Sequence, residues 1–93
     1  NILMVTLKAS KPIGVLKKGD FVIVDGKRLE VDAQYIFEDY KTTKEMLIEL
    51  FDSKTDKDYQ IRYFDDQVED TIKFYELKEI VYEENENVQK IEW

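Results

Sequence analysis

The side chains in this sequence with the most evident chemical potential are two acidic groups and one basic group. Asp52, Asp56 and Asp58 fall within "DSKTDKD", and Asp65, Asp66, Glu69 and Asp70 within "DDQVED". Carboxylates this close in sequence could hold a hard cation such as calcium or magnesium, which takes oxygen ligands. Neither stretch has the Asp-x-Asp-x-Asp-Gly pattern, the glycine for a sharp turn or the terminal glutamate of a calcium loop. Both are therefore expected to be solvated turns, and no metal ligand is assigned. Asp65 and Asp66 fare poorly as an acid–base pair, because neighbours on an extended chain point to opposite sides. The chain has no histidine and no cysteine. That removes the usual general base near neutral pH and the thiolate as nucleophile or ligand. It has no glycine-rich phosphate loop either. The expectation is a protein that is not an enzyme, with no catalytic residue and no cofactor; a metal-assisted enzyme built on the acidic loops is the remotest alternative. Without disulfides, a reducing cytoplasmic setting fits best.

The basic group is Lys17, Lys18, Lys27 and Arg28, in "LKKGDFVIVDGKRLEV". Residues 1–28 carry six basic against two acidic side chains, a net +4, so residues 29–93 carry −11 of the total −7. A locally basic face could meet phosphates. Lys17 and Lys18 precede a strand whose far end is flanked by Lys27 and Arg28, which holds the two pairs apart, and the overall charge repels a nucleic-acid backbone. Lysines that keep strand edges soluble are the preferred reading; a nucleic-acid or ribosome-associated barrel using these four residues is the alternative.

Six tyrosines and Trp93 are more amphipathic aromatics than a small domain must bury completely. Most belong to the core or to cross-strand pairs. Tyr40, Tyr59, Tyr63, Tyr75 and Trp93 are the candidates for a protein interface, since tyrosine and tryptophan are its usual anchors. An acidic rim around them would favour a partner with a basic surface.

These side chains must be positioned by one domain spanning residues 1–93, because 93 residues close one core rather than two. The chain opens on Asn1 rather than methionine, as an excised or processed segment would. The longest apolar run, Ile2 to Val5, is far too short to span a bilayer, so no membrane association is expected.

Tyr, Phe, Val and Ile dominate the apolar residues and favour sheet. Ile2 to Leu7 reads as a first strand. Asp25-Gly26 between two apolar runs is a strong hairpin signal. A two-residue Asp-Gly loop would gather Val22, Val24, Leu29 and Val31 on one face. A three-residue loop with a bulge gathers Phe21, Ile23, Leu29 and Val31, and is preferred because it separates apolar from charged residues more cleanly. "AQYIFEDY" reads as a third strand. Residues 43–53 alternate as a strand, although Thr42 and Glu45 match a helix capping box and a short helix is the alternative. The polar "SKTDKD" and the alternating "YQIRYF" after it favour strand, turn and strand. "DDQVED" is expected to be a loop, "TIKFYELKEIVYE" one strand bent near "ELKE", and "IVYEENENVQKIEW" a hairpin about "ENEN" with Ile91 and Trp93 on one face. Many short strands with polar turns imply an all-β, mainly antiparallel SH3-like barrel.

Leu16, Lys18, Gly19, the Phe21 to Val24 strand, Asp25-Gly26 and Val31 resemble the opening hairpin of KOW-like and SH3-like barrels, in particular the N-terminal domain of the translation elongation factor P family. The likeness extends over residues 16–82 and implies a small barrel. That family presents a modified lysine on a glycine-containing loop. The corresponding "FEDYKTTKE" has no glycine, so the role is not carried to Lys41 or Lys44. From the residues themselves, the expected function is a small binding module for another protein.

Overall fold

The computed structural model describes residues 4–93. Within them, β1 (Thr6–Lys8), β2 (Phe21–Val24), β3 (Lys27–Asp39), β4 (Lys44–Asp52), β5 (Lys57–Phe64), β6 (Lys73–Lys78), β7 (Val81–Glu84) and β8 (Lys90–Glu92) form a single sheet in the order β1-β8-β2-β3-β4-β5-β6-β7. Only β1 and β8 pair in parallel; the other pairs are antiparallel. The sheet curls into a half-barrel, the small all-β architecture that the strand-rich composition implies. The first expected strand begins later, at Thr6; Met4 and Val5 precede it, and Ile2 and Leu3 lie outside the described residues.

The hairpin of β2 and β3 takes the two-residue loop rather than the expected bulged one. Val24 pairs with Lys27 and Val22 with Leu29. Asp25 at φ 47° and Gly26 at φ 82° are both left-handed, the condition for the type I′ turn whose twist matches its flanking strands. The inward face is therefore Val22, Val24, Leu29 and Val31, all buried, while Phe21 is exposed. Phe21 is covered from outside instead, by the Arg28 guanidinium 3.6 Å from its ring centre. The Asp25 carboxylate also accepts backbone N–H bonds from Gln89 at 3.0 Å and Lys90 at 2.8 Å. One turn thus anchors β8 beside β2.

The second hairpin strand and "AQYIFEDY" are one continuous 13-residue strand, β3. It bends through irregularities between Val31 and Ala33 and between Ile36 and Glu38; extra residues of this kind increase local twist and let a sheet curl. Residues 43–53 hold no helix: β4 occupies Lys44–Asp52, pairing β3 on one side and β5 on the other. The turn that follows closes by an N–H bond from Asp56 to the Asp52 carbonyl at 2.8 Å, with a second from the Lys54 N–H to the Asp52 carboxylate at 2.9 Å.

Three expectations at the C-terminal end are corrected. "DDQVED" contains a single helical turn, α1 (Val68–Thr71). "TIKFYELKEIVYE" is two strands, β6 and β7, joined by a tight turn with Glu79 at φ 59°. No glycine or asparagine marks that reversal, so it reads as a bend. β7 and β8 do not form a hairpin: among the described residues β7 pairs only with β6, whereas β8 pairs with β1 and β2. The chain between them crosses the open side of the half-barrel, with Val88 buried in the core.

Val22, Leu29, Val31, Ile48, Leu50, Ile61 and Ile91 are the heart of the concave core. Burying each aliphatic side chain of this kind is worth about 1.5–3 kcal/mol. Gln34 closes one end. Its amide donates to the carbonyls of Ile13 (3.2 Å) and Leu16 (2.8 Å), and its side-chain oxygen accepts from the Tyr63 hydroxyl. Among the described residues no helix is long and apolar enough to cross a membrane.

Candidate functional site

Leu47 is buried but lies outside the concave core. Side chains alternate along β4, so Leu47 faces the opposite side from Ile48 and Leu50. A second cluster is assembled there, on the outer face. Cross-strand register places Leu47 between Tyr35 and Arg62, and Gln60 between Glu49 and Tyr75.

The guanidinium of Arg62 is the centre of this cluster. It lies 4.1 Å from the Tyr75 ring centre and 4.8 Å from that of Phe37. It also donates two hydrogen bonds to the side-chain oxygen of buried Gln60, from Nε at 3.1 Å and Nη2 at 2.9 Å. A planar cation held by a fork on one side and by aromatic faces on others is a rigid mount. Phe37 falls in the second irregularity of β3, two residues from Tyr35 and so on the same outer face. Beyond it, Tyr40 packs on Phe64 with ring centres 5.8 Å apart.

Tyr35, Phe37 and Tyr40 remain 43–52% exposed despite these contacts. They form an aromatic surface set in acid: Glu38 lies opposite Glu45, and the Tyr35 hydroxyl donates to Glu49 at 2.6 Å. That bond, helped by partial burial, pushes the Tyr35 hydroxyl up to about 12. Burial chiefly raises the Tyr82 hydroxyl as well. Both phenols are therefore neutral at physiological pH. The arrangement offers π faces and one cation.

The aromatic residues singled out from sequence do not converge. Tyr40 is on this outer surface and Tyr75 lies half-buried beneath Arg62. Tyr59 and Tyr63 are corrected from surface to core, at 4% and 2% exposed. They alternate onto the concave side of β5, where Tyr59 stacks on Phe74 with centres 5.3 Å apart. Trp93 is half-buried at the end of the barrel closed by the Pro12 segment, its Nε1 donating to the Lys11 carbonyl at 2.7 Å. Arg62, Phe37, Tyr35 and Leu47 were missed. The available signal was the second face of "YQIRYF", where Gln60, Arg62 and Phe64 alternate with the core residues.

The four basic residues also separate. Lys17 and Lys18 are exposed before β2, Arg28 lies on Phe21, and Lys27 Nζ donates to the Tyr59 hydroxyl at 3.0 Å. That hydrogen bond is the main cause of a raised Lys27 ammonium pKa.

The acidic loops serve the backbone. Asp65 accepts from the Lys44 N–H (3.1 Å) and the Thr43 hydroxyl (3.2 Å), and the backbone bond is the chief reason its carboxyl sits below the usual range. Asp52 is lowered first by the Lys54 N–H in the same way. Among the described residues, no three His, Cys, Asp or Glu side chains converge where a metal ion could be held.

No protein-family model, curated protein or solved structure matches this chain.

Proposed function

We propose that this chain is a non-enzymatic binding module that docks another protein on the outer face of its sheet. The observation that supports this reading is the exposed set of Tyr35, Phe37 and Tyr40 on the outer face, with Phe37 held against Arg62, Tyr40 packed on Phe64, and Glu38, Glu45 and Glu49 beside them. Aromatic anchors inside a polar rim are the usual composition of an interface centre. The acidic rim favours a partner whose contacting surface is basic, chiefly through faster encounter and rejection of acidic surfaces.

The test is capture from the native cell with the wild type, with Phe37→Ala and Tyr40→Ala, and with Val15→Ala, which alters an exposed apolar residue elsewhere. A partner retained by wild type and Val15→Ala should bind each interface variant at least ~10-fold more weakly, the effect of losing an anchor worth ~2 kcal/mol. Equal capture by all four proteins would refute the outer face as the docking surface. Salt-sensitive retention on RNA that disappears when Lys17, Lys18, Lys27 and Arg28 are neutralised would support the nucleic-acid alternative instead.

A further inference from the structure

Among the described residues β7 is an edge strand, bonded to β6 on one side only. The register of the two-residue turn makes Val81 and Glu83 the residues that exchange backbone bonds with β6, in step with the Asn85 N–H that donates to the Phe74 carbonyl at 2.8 Å. The N–H and C=O groups of Tyr82 and Glu84 consequently point away from the sheet. Such an edge is a ready template for another strand.

The side chains along it select what could pair there. Val81 is 57% exposed and Tyr82 half-buried, so the first half of the edge offers one apolar side chain to each face. The second half is acidic on both faces, with Glu83 on the concave side and Glu84 on the outer side. Glu83 stands directly opposite Glu76, a like-charge pair that is unfavourable on a sheet. Lys78, 3.1 Å from Glu76, the amide of Asn85 at 3.3 Å and the charge of Lys27 are all directed at Glu76 rather than at Glu83. Glu79 and Glu86 extend the acidic border at both ends. A second copy of this chain would bring another set of these carboxylates to the same seam, so the edge is set against self-pairing. A cationic strand would instead place its charge beside Glu83 and Glu84.

We propose that β7 receives an extended basic segment of another protein as an added antiparallel strand, with two adjacent basic residues opposite Glu83 and Glu84 and two apolar residues opposite Tyr82 and Val81. The inference rests on the protein-binding reading and gives that partner a chemistry and a mode of attachment. On the outer side the bound segment borders Tyr82 and Glu84, with Tyr75 one strand further in. On the concave side it closes the cleft lined by Lys27, Tyr59, Glu76, Val81 and Glu83. Main-chain bonds supply affinity in this mode, and the alternating side chains supply selectivity.

The test uses the full chain and two blocked peptides, Thr-Lys-Lys-Val-Val-Thr and its acidic twin Thr-Glu-Glu-Val-Val-Thr, at millimolar concentration. With the basic peptide, amide exchange should slow several-fold at Tyr82 and Glu84 and stay unchanged at Val81 and Glu83; the acidic twin should have no effect. Glu84→Pro removes an N–H that faces away from β6 and an exposed side chain, and should abolish the protection without changing the melting temperature. Glu83→Lys with Glu84→Lys should reverse the preference between the peptides, which keeps the test decisive if the proline variant is unstable. Perturbation confined to Phe37 and Arg62, protection that survives Glu84→Pro, protection of Tyr82 that grows with protein concentration alone, or no response even at low salt would each overturn the edge-strand proposal. None of these results touches the capture comparison at Phe37 and Tyr40, so the two readings fail separately.

Discussion

Replacing Arg62 with methionine keeps most of the side chain's length and removes its charge and its fork. Three consequences can be weighed from the structure. The two hydrogen bonds to Gln60, at 3.1 and 2.9 Å, disappear, and the Gln60 oxygen is left without them at a residue only 8% exposed. Breaking a hydrogen bond to a charged group and stranding its partner costs about 1.5–3 kcal/mol. The contacts with Phe37 and Tyr75 lose their cation, at about 0.5–1 kcal/mol each for a half-exposed site. Methionine recovers some apolar cover over Leu47. The net loss should be about 2–4 kcal/mol, and each kcal/mol lowers the midpoint of a chain this size by roughly 4–8 °C. Arg62→Lys keeps the charge without the two-pronged bond and should fall between the two. Thermal and urea unfolding give the stability change, and aromatic NMR lines of Phe37 and Tyr75 report whether the surface loosens. An Arg62→Met protein within ~1 kcal/mol of wild type, with unchanged aromatic lines, would refute the view that Arg62 mounts this surface.

Asp25→Ala should cost about 1 kcal/mol or more through the lost carboxylate bonds and the disfavoured left-handed turn, and should speed amide exchange at Gln89 and Lys90 before the rest of the sheet; Asp25→Asn, which tolerates the same backbone, should be milder. Glu79→Gly should raise stability by up to ~1 kcal/mol in urea unfolding, because glycine accepts the φ of 59° that glutamate resists. Burial is the first cause of a Tyr63 hydroxyl pushed from 10.0 up to about 12. Its contribution is fully present below pH 10.0 and is lost as the pH climbs through about 12, amounting to about 2–3 kcal/mol. The stability gap between wild type and Tyr63→Phe should therefore narrow over that range, and a constant gap would count against it. At the other extreme, Asp20, Asp52 and Asp65 are all held below the usual carboxylate range, chiefly by backbone N–H donors. Their stabilisation is present above the ordinary aspartate value of about 4 and is lost as the pH falls through their lower folded values, so acid titration should lower the melting point across that range.

Alternation and turn chemistry made much of the fold legible. Tyr59, Ile61 and Tyr63 against Gln60, Arg62 and Phe64 define a strand, "SKTD" must reverse the chain, and Asp25-Gly26 must turn tightly, because each depends only on backbone preference and nearest neighbours. Those patterns say which residues share a face; they do not say which face curls inward. The concave side of β5 took the two tyrosines that seemed suited to an interface, while the outer side collected Arg62 and Phe37 from strands far apart in sequence. For the β2–β3 hairpin, two registers each gave an apolar face. The left-handed Asp25, its bonds to Gln89 and Lys90 and the stacking of Arg28 on Phe21 select one. The unmarked turn at Glu79 and Ile80, the separation of β7 from β8 and the acidic free edge that results likewise follow from how the sheet closes. Local pattern is short-ranged, whereas burial, edge status and the meeting of Arg62 with its aromatic neighbours are set by pairing across the whole sheet.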